Sequence, residues 1–236
     1  MALAQVIHIC DEFQGGRAWS STTADTNGLN IRTHGGGSPT ATALNNTSSG
    51  KIRMTCDTTT AAQSIVLSDN DLLWFQSYNQ TSPNQTGLKV FQAVVLFNNL
   101  DATTQAWVGV CGADNATITS ITPRVGFNIG ASGEVYIDCV NSTVSNSAID
   151  TLYALTAGDD YLFEINFANP KDVRFMITNI NNFNAFTVGR TAASTTFDFS
   201  AYTGSLQRYV RVGKTGGTTA ATYLDLDRLS VSLKRK

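Results

Sequence analysis

The sequence has few charged residues, histidines and prolines. Asp, Glu, Lys and Arg supply 14% of its 236 residues, and it contains 2 histidines and 4 prolines. Charged residues usually make up about a quarter of a globular domain, so neutral Thr, Asn, Ser and Gln must form most of the polar surface. The net charge of −2 offers no basic field to a phosphate backbone, so we expect no nucleic-acid partner.

Metal-binding motifs are missing as well. Two histidines, and cysteines without a Cys-x-x-Cys pair, do not provide a structural zinc site, so we predict no metal and no cofactor. Free thiols are the expected state, buried at Cys56 and Cys139 because their alternate neighbours are apolar; a disulfide stays open as the alternative. The four cysteines are Cys10, Cys56, Cys111 and Cys139.

Long apolar runs are absent too. No run approaches the roughly 18 apolar residues of a transmembrane helix, and residues 1–10 lack the basic start and cleavage site of a signal peptide. We therefore expect a protein made in the cytoplasm without a membrane partner. Helical periodicity is equally scarce: the nearest stretch, residues 148–157, predicts at most one short helical turn.

What the sequence does contain is period-two alternation of apolar and polar residues, interrupted by Gly, Asn, Asp, Ser and Thr. Such segments are typical of antiparallel strands with one face on the core and one toward solvent. Residues 33–50 and 215–222 are interpreted as loops. We predict one all-β domain over residues 1–236, an antiparallel two-sheet β-sandwich. The clearest predicted strands are 51–56, 133–139, 161–167 and 172–178.

Residues 89–97 are apolar on both faces. Phe91 and Val95 alternate with Val90, Val94 and Leu96. A central strand shielded by a loop of the same chain explains the pattern, and a subunit contact is the alternative, because large exposed apolar patches mark association surfaces. In the second interpretation Val90, Val94 and Leu96 contact another subunit or a capsid.

The closing segment, residues 223–234, changes phase partway. Leu226 and Leu229 lie on one apolar face only if a β-bulge near Asp227 and Arg228 absorbs one residue. We expect this strand to pair with residues 3–9. The basic end is interpreted as a frayed tail, with an electrostatic latch onto an acidic partner as the alternative. The residues of this end are Lys234, Arg235 and Lys236.

No catalytic constellation is recognisable. The His34 segment, His-Gly-Gly-Gly, lacks the Gly-x-Ser-x-Gly turn that an esterase needs. Residues 213–215 resemble part of a phosphate loop, but no leading Gly and no helix accompany them. Asp225 and Asp227 are interpreted as edge or turn residues rather than a glycosidase pair. Two acidic segments, 11–12 and 69–71, could hold Ca²⁺, but oxygen-rich loops are common.

Aromatic residues offer one candidate ligand surface. Trp74 and Trp107 lie in apolar runs and are expected in the core. Trp19 lies among polar residues and, with Tyr78 and Tyr202, could stack on sugar rings while Asn or Asp side chains donate and accept hydrogen bonds. These three aromatics are our candidate ligand-binding residues.

The order of the segments resembles the concanavalin A-like jelly rolls. The likeness covers most of the chain but lacks the Glu-x-Asp-x-x-Glu strand of the family's hydrolases, so it implies the fold and not that activity. Metal ligands of the legume type cannot be mapped either. The segments that carry the likeness are Asp11-Glu12-Phe13 with Gly16 and Trp19, Phe91 to Phe97, Trp107 to Val110, Val125-Gly126-Phe127, Gly133 to Tyr136, Ala157 to Tyr161, Phe163-Glu164-Ile165 and Tyr223-Leu224-Asp225.

Domains of this kind, rich in Thr, Asn and Gly, are similar to virion proteins of tailed bacteriophages, particularly head decoration (cement) proteins. The resemblance implies a non-enzymatic homo-oligomer, expected as a trimer, that binds the major capsid protein on the capsid surface. A carbohydrate-binding module of a tail fibre or spike, serving host receptor binding, is the alternative. A hydrolase with carboxylates not paired here ranks third.

Overall fold

A computed structural model describes residues 5–11, 29–44, 50–58, 62–69, 75–76, 87–100, 102–187, 196–202, 204–217 and 221–235. In this part of the chain, no helix is long and apolar enough to cross a membrane. Two short 3-10 turns span Ile118–Ser120 and Ala131–Gly133. The described strands are β1 (Gln5–Asp11), β2 (Leu29–Gly35), β3 (Thr40–Leu44), β4 (Lys51–Cys56), β5 (Gln63–Asp69), β6 (Phe75–Gln76), β7 (Gly87–Phe97), β8 (Thr104–Cys111), β9 (Arg124–Ile129), β10 (Glu134–Val140), β11 (Ser145–Ala154), β12 (Asp160–Asn166), β13 (Arg174–Asn179), β14 (Asn184–Thr187), β15 (Ser205–Lys214) and β16 (Thr222–Arg235).

The strands form two antiparallel sheets of seven, which confirms the predicted β-sandwich. Sheet A has the order β3-β4-β16-β7-β12-β13-β14. Sheet B has the order β2-β5-β15-β8-β9-β10-β11. Strand β1 lies beside the second half of β16, next to β4, and the two-residue β6 joins β15 to β7.

The core lies between the sheets and consists of the inward-facing residue of each alternating pair. Phe127 of sheet B contacts two rings of sheet A, with centroids 5.0 Å from Phe163 and 5.5 Å from Phe175. All three rings are buried. Burying a side chain of this size contributes about 1.5–3 kcal/mol relative to leaving it exposed, so these facing aromatics hold the two sheets together.

Several predicted elements are confirmed. Strands β4, β10, β12 and β13 lie where alternation predicts them. The pairing of β16 with β7 shifts register between Leu226 and Arg228, at the predicted bulge. Strand β1 pairs with β16 as expected, so Lys234 and Arg235 lie in a paired strand, and their interpretation as a frayed tail is wrong. Lys236 lies outside the described residues.

Two local predictions are wrong for identifiable reasons. Residues 148–157 form most of β11 rather than a helical turn, because Ala148 and Leu152 take positive φ and break the alternation of the strand. Residues 33–50 contain the edge strand β3 as well as loops. Its buried residue, Ala41, has a small side chain, so the alternation of apolar and polar residues is weak between the neighbouring threonines.

Strand β7 is central, as one of the two interpretations requires. It lies between β12 and β16 in sheet A. Val94, on its outer face, is only 8% exposed, whereas Val90 and Leu96 are partly buried. Val94 therefore offers less than a tenth of its surface to a partner, and a contact through this strand would depend mainly on the other two residues.

Candidate functional site

The outer face of sheet B presents a row of mostly polar and aromatic side chains. Inward neighbours on these strands, such as Val108 and Phe127, belong to the core, so the intervening residues point away from it. Strand register places the row directly across six strands. In strand order its members are Arg32, Val66, Arg211, Trp107, Asn128 and Tyr136.

A covering loop, residues 112–123, folds back over this face. Asp114 fixes one side of the loop. Its Oδ1 accepts a hydrogen bond from the Tyr209 hydroxyl at 2.9 Å and lies 3.1 Å from Nε2 of His34. Its Oδ2 lies 3.3 Å from the Arg32 guanidinium. One carboxylate thus joins the loop to β2 and β15.

Arg124 fixes the other side of the covering loop. Its Nη1 donates to the carbonyl oxygens of Thr119 and Ile121 at 3.1 and 2.8 Å. Its Nε donates to Asp138 at 3.2 Å, and its Nη2 to the Ser147 hydroxyl at 2.9 Å. The guanidinium and the Asp138 carboxylate are both buried, so charge-assisted bonds tie the loop to β9, β10 and β11.

Trp107 forms an apolar floor beneath the loop. Its ring meets Tyr209 edge-on at a centroid distance of 5.7 Å and clusters with Val66 and Ile121. The ring lies close over β9, because a Cβ at Gly126 would stand 2.5 Å from its Cζ2 atom. Glycine is therefore required there for the indole to lie against the sheet.

A cavity of about 580 Å³ opens between the loop and the strands. A second hollow of about 240 Å³ shares Gln105, Asn128 and Thr215 with it and extends to Tyr136. We call the two together the sheet B groove. The first cavity lies within the range of about 300–1,000 Å³ that is usual for small-molecule sites.

Two buried polar atoms of the groove have no hydrogen-bond partner within the described part of the chain. The Ser64 hydroxyl and the Trp107 indole N–H belong to cavity-lining side chains, and neither forms a hydrogen bond with any described residue. Each residue is 1% exposed. A buried polar group without a partner costs about 1–3 kcal/mol, and a ligand oxygen would remove that cost once a small side-chain movement gives it access to these atoms.

Of the predicted ligand-binding aromatics, the structure describes only Tyr202. Its ring packs 5.3 Å from Phe199, and its hydroxyl donates to the Ser205 carbonyl oxygen at 2.9 Å. It is not among the residues that line the groove. Trp19 and Tyr78 lie outside the described residues. Trp107 is buried, as predicted.

The other tested motifs take structural roles. Asp225 receives two hydrogen bonds from Arg53, at 2.7 and 2.8 Å, and Arg53 lies 3.7 Å over the Tyr223 ring. Asp69 is bound to Arg208 in the interior. In the described part of the chain, no cluster of three or more His, Cys, Asp or Glu side chains could hold a metal ion.

The architecture is that of the concanavalin A-like jelly roll, the sandwich fold shared by legume lectins and family 16 glycoside hydrolases. Among solved structures, a protein of unknown function from Shewanella oneidensis MR-1 superposes with a TM-score of 0.63 at 12% identity, covering 99% of this chain and 88% of that one. Peanut lectin gives 0.61 at 13% identity, covering 98% of both chains. A family 16 hydrolase of the mixed-linkage glucan locus of Bacteroides ovatus gives 0.57 at 9% identity, covering 94% and 99%.

At these identities the likeness establishes the fold, which confirms the predicted jelly roll. No protein-family model matches the chain, and no curated protein matches it in sequence. The similar structures include both lectins and glycoside hydrolases. The fold is therefore compatible with both sugar binding and sugar hydrolysis, and the choice between them depends on the residues that line the groove.

Proposed function

We propose that the chain is a carbohydrate-binding protein and that the sheet B groove is its binding site. The observation that carries the proposal is the pair of buried, unpartnered donors, Ser64 Oγ and Trp107 Nε1, in the lining of the cavity. Sugar hydroxyls are acceptors as well as donors and would satisfy both. The amides of Gln105 and Asn128 lie where the two hollows meet, and amides can donate and accept at once.

An aromatic surface completes the groove. Tyr136 lines the second hollow, where its ring is partly exposed and its hydroxyl donates to Glu134 at 2.7 Å. An aromatic ring with one polar end suits a ligand that has both apolar C–H faces and hydroxyls. In this proposal Tyr136 takes the stacking role that the sequence suggested for Trp19, Tyr78 and Tyr202.

We further propose that binding proceeds without hydrolysis. Glycosidases need two carboxyl groups about 5–10 Å apart beside the scissile bond. The described lining of both hollows contains neither Asp nor Glu. The buried carboxylates of this face, Asp114 and Asp138, are each bound to an arginine, which supports a structural role for them.

A glycan array followed by calorimetry tests the site. We expect Asn128→Ala to weaken binding of any glycan hit by roughly tenfold, about the value of one or two hydrogen bonds. Asn184→Ala, at an exposed position on β14 of sheet A and outside the groove, is the matched control and should bind normally. An array without hits, or equal losses in both variants, would exclude the groove as the site. Release of reducing sugar by the wild type would overturn the non-hydrolytic proposal.

A second candidate is the virion role that the composition suggests. Leu152 and Phe183 are 83% and 84% exposed. Strands β11 and β14 lie close together near these two residues, because Tyr153 of β11 stacks on Phe186 of β14 at a centroid distance of 4.8 Å. Exposed apolar residues at one edge favour an association surface. We propose a homo-oligomer, expected as a trimer, on a phage capsid or fibre, where several grooves would bind a host glycan with avidity.

Light scattering after size exclusion, with mass spectrometry of purified virions, tests this candidate. A closed oligomer that Leu152→Asp and Phe183→Asp dissociate, found with the major capsid protein, would support it. The candidate contacts with another subunit or the capsid also still include Val90, Leu96, Lys234 and Arg235. A monomer at all concentrations, absent from virions, would rule it out and leave the glycan site unaffected.

A further inference from the structure

We infer that the sheet B groove selects acidic saccharides, with Arg211 pairing with a carboxylate or sulfate group of the sugar. The inference rests on the proposed function. Arg211 occupies the middle of the outward row, directly opposite Val66 and Trp107, and it lines the cavity.

The guanidinium of Arg211 forms few hydrogen bonds with the described residues. Arg211 is partly buried as a residue, and the hydrogen bond of its guanidinium to the described residues is a single exposed contact of 3.5 Å from Nη1 to the Asn115 carbonyl oxygen. A guanidinium has five N–H donors, and this contact uses one of them. Most of its donors are thus available to a ligand.

Arg211 differs from other described arginines in having no carboxylate partner among the described residues. Five of them each lie within 3.5 Å of a carboxylate oxygen, whether buried or exposed, whereas Arg211 forms no ion pair with a described carboxylate. The five pairs are Arg32 with Asp114, Arg53 with Asp225, Arg124 with Asp138, Arg174 with Asp172, and Arg208 with Asp69.

The surroundings favour an anion over a neutral ligand. No described lining residue is acidic. The nearby carboxylate of Asp114 is shared by Arg32 and His34, and that of Glu134 accepts a hydrogen bond from the hydroxyl of Tyr136 in the second hollow, away from Arg211 in the first. Lys214 is buried and approaches Asp57 at 3.9 Å, so it does not take the place of Arg211. Ser64 Oγ and Trp107 Nε1, which have no hydrogen-bond partner among the described residues, can each donate a hydrogen bond. A donor-rich lining with one guanidinium suits the oxygens of a carboxylate or sulfate, because charge-assisted bonds are the stronger ones.

The test compares saccharides that differ only in charge. Oligogalacturonate and its fully methyl-esterified form make one matched pair, and a sulfated galactan and its desulfated form make another. Calorimetry at low salt should show the charged member binding about tenfold more tightly in at least one pair, with the advantage shrinking as salt screens the contact. The pair that shows the preference identifies carboxylate or sulfate as the preferred group.

Arg211→Gln should bring the ratio of the two affinities in that pair to about one, while Arg211→Lys should retain part of the preference because Lys keeps the charge without the planar fork. Arg174→Gln, at a 74% exposed side chain on sheet A, is the matched control and should keep the full preference. Thermal melting would verify that each variant folds.

Equal affinity for charged and neutral members in the wild type, or a preference that survives Arg211→Gln, would overturn the inference while glycan binding stood. If no saccharide bound, the proposed function itself would fail. This result differs from equal binding of charged and neutral members, which would overturn only the inference about Arg211.

Discussion

Arg208 and Asp69 form an ion pair that lies wholly inside the sandwich. Nε and Nη2 of Arg208 donate to Oδ1 of Asp69 at 2.9 and 2.6 Å, and both side chains are 1% exposed. Nη1 donates across the core to the carbonyl oxygen of Leu229 on β16, at 3.0 Å. The pair therefore connects β5 and β15 of sheet B with the central part of sheet A.

Removing one partner of this pair should be costly. We expect Arg208→Met to lower the free energy of unfolding by about 3–5 kcal/mol, because the Asp69 carboxylate is left buried without its countercharge. The double variant Asp69→Leu/Arg208→Met should regain much of this loss. Urea unfolding measures all three proteins, and a double variant no more stable than the single one would contradict the explanation.

Gly126→Ala should destabilise the outer face of sheet B. An added Cβ would meet Trp107 at 2.5 Å and the Val108 carbonyl oxygen at 2.6 Å, so both the indole and the neighbouring backbone must shift, at a cost of about 1–3 kcal/mol for overpacking. Gly216→Ala is the control, since a Cβ there meets no atom within 4 Å. Thermal unfolding should separate the two variants, and equal melting temperatures would argue against the packing described for Trp107.

Asp114→Ala should loosen the covering loop. Three side chains lose their common acceptor, so amide hydrogen exchange across residues 112–123 should quicken and glycan affinity should fall. We expect global stability to drop by only about 1–3 kcal/mol, because the lost bonds lie outside the main core. Asp172→Ala, whose carboxylate lies 3.5 Å from the exposed Arg174, should leave exchange in this loop unchanged.

Alkaline pH should destabilise the protein through its buried thiols. Burial raises the pKa of Cys56 to about 11 and that of Cys139 to about 12, from an ordinary value of 9.0. Above pH 9 the unfolded chain releases these protons while the folded chain retains them, so the unfolded state is favoured as pH rises from 9 toward 11.

Because the folded-state pKa of Cys56 is about 11 and its ordinary value is 9.0, and a tenfold change in an equilibrium constant is about 1.4 kcal/mol, Cys56 alone accounts for a loss of stability on the order of 2–3 kcal/mol by pH 11. Urea unfolding at neutral and alkaline pH measures the slope. Cys56→Ala should flatten it, even though the variant is less stable at pH 7. An unchanged slope in that variant would assign the pH dependence to other groups.

The sequence predicted the sandwich because alternation records which face of a strand is buried. Positions such as Phe163 and Ile165 identify a strand without any knowledge of its neighbours. The bulge after Leu226 was predictable for the same reason. The alternation of apolar residues shifts by one position there, and an extra residue in the strand keeps Leu226 and Leu229 on the same buried face. Strand β11 was missed because positive φ at Ala148 and Leu152 disrupts that alternation.

The candidate site could not be predicted in the same way. Arg211, Trp107 and Ser64 lie on three strands that are far apart in the sequence, and only strand order and register bring them together. Nothing local distinguishes Arg211 from the other arginines. Its lack of a carboxylate partner is a property of the folded chain, as is the position of the covering loop.

Strand β11 has a consequence for how copies of the chain can meet. It is the outermost strand of sheet B, its pairing with β10 shifts register at two places, and Ala148 and Leu152 take positive φ. An irregular edge of this kind does not offer the even row of N–H and C=O groups that strand addition requires. The edge therefore protects the sandwich against open-ended aggregation through its backbone, so that any assembly there must be specified by side chains.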